Sequence, residues 1–109
     1  MIIAYIFSYF GDGGAEENAY LLAQSAKQAG HKPLFIISSF SISAMKRLED
    51  QGLDVVNLPM ESSFNVSAVF KSASNLKKII RDKNIDIVHT HMLREQSLAI
   101  LSKMLGAKF

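Results

Sequence analysis

Four short apolar runs, residues 2–8, 33–38, 53–58 and 85–89, recur along the chain and are rich in Ile, Val and aromatic residues. None alternates cleanly with polar positions, the pattern of strands buried on both faces. Between them lie longer segments whose apolar positions recur about every 3.6 residues, as on one side of a helix. In the first, Ala15, Ala19, Leu22, Ala23 and Ala26 share a face, and Gly30 is placed to end the helix. The second, residues 41–51, carries Ala44 and Leu48 and stops at Gly52. In the third, Val69, Ala73, Leu76 and Ile80 form the stripe, and a fourth runs from Arg94 through Leu98, Leu101 and Leu105 to Gly106. Strands alternating with helices at these spacings predict right-handed βαβ units and an α/β, Rossmann-like open parallel sheet of order 3-2-1-4, with helices on both faces.

A chain of 109 residues is enough for one modest core. With 49% hydrophobic and 20% charged residues it is a folded globular chain and not a disordered tail. The absence of cysteine excludes disulfides, thiolate metal sites and cysteine nucleophiles. No apolar run approaches the roughly 18 residues of a membrane span. The opening MIIAYIF lacks the basic start and cleavage site of a signal peptide, so a cytoplasmic setting is expected. Residues 59–66 are the one long irregular connection. Ala107-Lys108-Phe109, after the helix-ending Gly106, reads as the opening of a fifth strand. Its absence would leave the fourth strand as an open edge, so the chain reads as truncated, or as paired into a dimer through that edge.

Two places carry candidate chemistry. The turn after the first strand, Tyr9-Phe10-Gly11-Asp12-Gly13-Gly14-Ala15-Glu16, lies where open parallel sheets bind ligands, at the carboxyl ends of the strands. There the amides of Gly13 and Gly14 and the start of the helix could hold a phosphate or a sugar hydroxyl. Equally, the glycines could make only a tight turn, with Glu16 and Glu17 offsetting the helix dipole. A nicotinamide site is disfavoured, since Glu16 breaks the G-x-G-x-x-G pattern and Ser38 and Ser39 stand where an acid should end the second strand.

The second place is His89-Thr90-His91, whose histidines share a face beside the switch point, near the glycine turn. Two histidines two apart also match a metal-ligand spacing, but further ligands are lacking, so no metal is expected. His89 reads more simply as a core histidine under the fourth helix, and His31 as a surface residue at a helix end.

The third helix, residues 66–83, carries Lys71, Lys77, Lys78, Arg81 and Lys83 against Asp82. Together with a stripe of Val69, Phe70, Leu76 and Ile80 it could lie on an anionic membrane, or simply show a solvated basic face. Nucleic acid is not expected, because the aromatics are not interleaved with these cations.

The stretch IIAYIFSYFGDGGAEENAYLLAQSAKQAGHKPLFI resembles the opening of the family 4 glycosyltransferases of the GT-B fold, with its Gly-Gly-Ala-Glu loop, long helix and Gly-His before the second strand. IDIVHTH resembles the same family's second landmark. The resemblance implies that residues 1–109 are part of an N-terminal, acceptor-side domain whose C-terminal nucleotide-sugar domain is absent. It implies a retaining transfer of sugar from a nucleotide-diphosphate sugar to a polysaccharide or lipid-linked acceptor, without metal or cofactor, often at the inner membrane face. By position it places Gly13 and Gly14 at the donor's diphosphate or sugar and His91 at the reacting centre, with Arg94 and Ser97 on the acceptor side. The 109 residues alone are expected to be inactive. The alternatives are a stand-alone Rossmann-like binding module completed by a partner chain and a small flavodoxin-like or nucleotide-binding domain.

Overall fold

The computed structural model describes residues 1–58, 66–90, 99–100 and 102–109. Elements follow in the order β1 (Ile2–Phe10), α1 (Gly14–Gln28), β2 (Lys32–Phe40), α2 (Ile42–Asp50), β3 (Asp54–Asn57), α3 (Val66–Asp82) and β4 (Ile87–Thr90). Residues 99–100 and 102–104 are helical as well. The strands form one sheet in the order β3-β2-β1-β4, every pair parallel, as the apolar runs predict.

Handedness explains how the helices divide. Moving from β1 through β2 to β3, right-handed crossovers put α1 and α2 on one face; the return to β4 reverses direction and puts α3 on the other. The two resulting cores differ in chemistry. Ala4, Ile6, Leu34 and Ile36 meet Ala73, Leu76 and Ile80 of α3 in an aliphatic layer. Tyr5, Phe7, Phe35 and Ile37 meet Ala19, Tyr20, Ala23, Ala44 and Leu48 in an aromatic one. Within it Phe35 stacks on Tyr5 at 5.3 Å and meets Phe10 edge-on at 5.4 Å. Both central strands are thus buried on alternate sides, which is why they read as unbroken apolar runs.

Strand ends differ from expectation. β1 continues two residues past Ser8 because Phe10 still packs into the aromatic layer. β2 likewise runs on to Phe40, whose Cα pairs with Phe10. β3 is shorter than its apolar run; Leu53 and Leu58 are buried, but as flanking residues outside the ladder.

Each helix ends in one geometry. After α1, Gly30 takes φ +91° and the His31 amide reaches back to the Ala26 carbonyl, the double closure of a Schellman motif. His31 therefore sits just past a helix end, as expected. Gly52 and Gly106 play the same part. After α3 the left-handed residue is Asn84, at φ 54°, with Ile85 bonded back to Ile80. Asn is the side chain that best tolerates this region, so a helix stop exists without the glycine that would announce it.

Candidate functional site

Among the described residues the order β3-β2-β1-β4 places the switch point between β1 and β4. At the carboxyl end of β1 the chain leaves Phe10, turns through Gly11, Asp12 and Gly13, and enters α1 with Gly13 as its N-cap. Gly13 has no side chain with which to cap. Instead Glu16 folds back, and its Oε2 accepts from the amides of Gly11 at 3.0 Å and Gly13 at 3.3 Å. The amide expected to hold a ligand phosphate at Gly13 is therefore engaged by the helix's own carboxylate, so an anion must displace Glu16 to use it.

Space around the glycines separates them. A side chain at Gly11 would meet the Tyr9 ring at 2.9 Å, and one at Gly13 would lie 3.3 Å from both Glu16 oxygens. Around Gly14, among the described residues and apart from its own helix, nothing lies within 4 Å of where a side chain would begin. A side chain at Gly11 or Gly13 would have to shift the Tyr9 ring or the Glu16 carboxylate, whereas at Gly14 it would meet open space among the described residues.

The loop is latched to α2. Asp12 accepts from Ser43 Oγ at 2.9 Å and from Ser41 Oγ at 3.4 Å, while Ser41 caps α2 by accepting from the Ala44 amide at 3.2 Å. Beside it Arg47 forks onto both carboxylate oxygens of Glu17 and lies over the Tyr20 ring at 3.9 Å. Glu17 thus ties α1 to α2, beyond offsetting a helix dipole. The depression among Gly11, Asp12, Glu16, Tyr20 and Arg47 measures only about 10 Å³, room for roughly one water. A ligand must lie above the loop, not within this crevice. A larger cavity of about 270 Å³, between Ile2, Lys32, Leu34, Asp54 and Lys83, is at the amino ends of the strands, far from the glycine loop.

The Arg47 hydrogen bonds hold the Glu17 carboxyl below its ordinary value. A lowered carboxylate contributes stability that is present above its unfolded pKa and is lost as the pH falls through the folded one. Replacing Arg47 by Gln is therefore expected to lower the urea midpoint at neutral pH, with a difference that shrinks as the pH falls below the ordinary carboxylate range and Glu17 becomes protonated. A midpoint difference that stays constant with pH would remove the ion pair from the account.

His89 pairs in register with Tyr5, and the two rings lie 5.5 Å apart. It is half-buried on the α1–α2 side of the sheet. This corrects its expected place under the helix after β4, because the following Ala107 packs in the opposite, aliphatic layer. It also corrects its nearness to the glycine turn. β4 ends with Thr90 level with Ile6, while β1 runs on to Phe10; at about 3.3 Å per residue, His89 lies well below the loop. His91, Arg94 and Ser97 lie outside the described residues.

The sequence marks Asp12 and Glu16 as members of the glycine turn but not their contacts, nor Ser43 and Arg47, because these bonds join α1 to its own loop and to α2. The available signals were Ser41, a capping residue directly before an amphipathic segment, and Glu16, three residues after the N-cap.

The profile of the family described as Glycosyltransferase Family 4 matches residues 12–109. The chain is 30% identical over 88 residues to a subunit of the human phosphatidylinositol N-acetylglucosaminyltransferase, a match covering 78% of this chain and 18% of that protein. Among solved structures, a glycosyltransferase from Rickettsia africae superposes with a TM-score of 0.78 at 21% identity, over 98% of this chain and 27% of the other. MurG of Acinetobacter baumannii superposes with a TM-score of 0.71 at 14% identity, over 96% of this chain and 32% of that one. These two likenesses show the Rossmann-like fold, and the chain spans no more than about a third of any of these relatives.

Proposed function

This chain belongs to glycosyltransferase family 4, and from that we propose that its whole protein is a retaining glycosyltransferase. It moves a sugar from a nucleotide-diphosphate sugar to a polysaccharide or lipid-linked acceptor, on the cytoplasmic side and in peripheral contact with the membrane. Residues 1–109 then form part of the acceptor-side domain, and a second domain outside them holds the nucleotide. The name of the human relative joins sugar transfer to a lipid, which supports the lipid-linked acceptor.

One observation carries the reading: a glycine loop at the switch point whose last glycine, Gly14, borders open space among the described residues. There a diphosphate or sugar can approach the backbone at the positive end of α1. Gly13 flanks it, and Glu16 fills the loop until the ligand arrives. By the family resemblance, His91, next in sequence after Thr90 of β4, is assigned to the transferred sugar, and Arg94 and Ser97 to the acceptor. Neither metal nor cofactor is needed.

Changing Gly14 to Val tests this. Its Cβ meets no atom within 4 Å among the described residues outside its own helix, so stability is expected to change by no more than about 0.5 kcal/mol. The KM for the donor is expected to rise about tenfold or more as the methyl groups occupy the ligand's approach, a loss of at least about 1.4 kcal/mol of binding. A valine variant of the full-length protein with unchanged KM would contradict the assignment.

A further inference from the structure

Two carboxylates hold the glycine loop from opposite sides. Glu16, on α1, accepts from the Gly11 and Gly13 amides at 3.0 and 3.3 Å. Asp12, in the loop itself, reaches away to α2 and accepts from Ser43 Oγ at 2.9 Å and Ser41 Oγ at 3.4 Å. Among the described residues, these are the side-chain hydrogen bonds that fix residues 11–14.

The two holds are not equivalent. On the reading above, a diphosphate or sugar takes amides that Glu16 now occupies, so that carboxylate has to leave. A phosphate's own charge repels it further. Both internal bonds of the loop then go. Gly11, Gly13 and Gly14 have no side chains to replace them, and glycine has the most backbone freedom to lose on ordering. The tether that remains is Asp12 on α2.

α2 makes a firm anchor for it. Ala44, next to Ser43, is buried in the aromatic layer, and so is Leu48. The Ser41 amide donates to the Phe10 carbonyl at 3.0 Å and fixes the start of α2 to the end of β1. Arg47, one turn beyond Ser43, grips Glu17, so one side of α2 holds both the loop and α1. Ser41 already accepts from the Ala44 amide and lies farther from Asp12, which leaves Ser43 as the closer holder.

We propose, resting on the donor reading of this loop, that Ser43 is a positioning residue. Through Asp12 it keeps Gly13 and Gly14 in place when a ligand displaces Glu16, and so sets the affinity for the donor. The Ser43 hydrogen bond is exposed, and water can replace either partner, so it adds little to global stability. What it removes is loop freedom, a cost that returns when the donor must order the loop itself.

Two measurements on the full-length protein test this, and the first needs no substrate. With isotope-labelled glycine, Glu16→Ala imitates the loop with its carboxylate withdrawn, and Gly13 and Gly14 are expected to keep order parameters of about 0.8. Adding Ser43→Ala is expected to drop both below about 0.6. In steady-state kinetics, Ser43→Ala is expected to raise the donor KM about fivefold, with kcat within about twofold, the pattern of lost binding and not of lost chemistry. The melting temperature is expected to stay unchanged, and Ser43→Thr, which keeps the hydroxyl, to restore the KM. Order parameters that do not depend on Ser43 overturn the proposal. So does an active Ser43→Ala enzyme with unchanged KM, or a melting temperature that falls in step with the KM effect. A wild-type protein that transfers nothing refutes the transferase reading alone, and the order parameters still decide the latch.

Discussion

Replacing Phe35 by alanine is expected to cost about 3–5 kcal/mol, the range for emptying a buried aromatic site. Phe35 has no exposed surface, lies in β2 between β1 and β3, and holds the Tyr5 and Phe10 rings at 5.3 and 5.4 Å. The neighbours are sheet and ring atoms that cannot collapse far into the gap, so the cavity remains. Against a total stability of about 5–15 kcal/mol for a typical domain, that loss leaves the protein marginal or unfolded. Phe40, in the same strand but 49% exposed, is the control, expected to cost less than about 1 kcal/mol. Urea unfolding followed by near-ultraviolet circular dichroism reads both. A Phe35 variant as stable as the Phe40 variant would mean that the aromatic layer does not hold the sheet.

The second large effect falls on turnover. His91→Ala in the full-length protein is expected to lower kcat about a hundredfold or more, the loss typical of removing one preorganised group at developing charge. Because the residue lies past the apolar run of β4, its removal is expected to leave the melting temperature unchanged. His89→Ala should do the reverse. That ring rests on Tyr5, half-buried and well below the glycine loop, so its loss is expected to reduce stability by about 1 kcal/mol and leave kcat nearly intact. Two histidines in one motif thereby part into separate roles. Turnover lost equally in both variants would contradict that division.

Legibility followed the physics of each feature. Ala4–Phe7 and Leu34–Ile37 are buried on both faces, so their apolar runs named the central strands directly. The strand order followed from βαβ handedness. The ends were hidden because Phe10 and Phe40 stand next to glycine and serine, which read as loop, although Phe10 packs into the core. The α3 stop was hidden because Asn84 does a glycine's work. Side-chain latches such as Asp12 to Ser43 and Arg47 to Glu17 join residues about thirty positions apart, and no periodicity encodes them. The glycine loop itself was legible as a turn between β1 and α1. That Glu16 already occupies two of its amides was not, since the pattern that marks a ligand turn and the pattern of a helix cap overlap here.

The most direct measurement follows labelled sugar from nucleotide-diphosphate sugars into lipid or glycan acceptors in membranes containing the full-length protein. Incorporation is expected, and it should disappear when His91 is alanine. Residues 1–109 alone are expected not to support it, because on the proposed reading stabilising the transition state requires donor-holding groups outside them. Absence of incorporation by the full-length protein would contradict the transferase reading; incorporation by the 109 residues alone would contradict the need for a second domain, and an undiminished signal from a folded His91→Ala protein would contradict that residue's role.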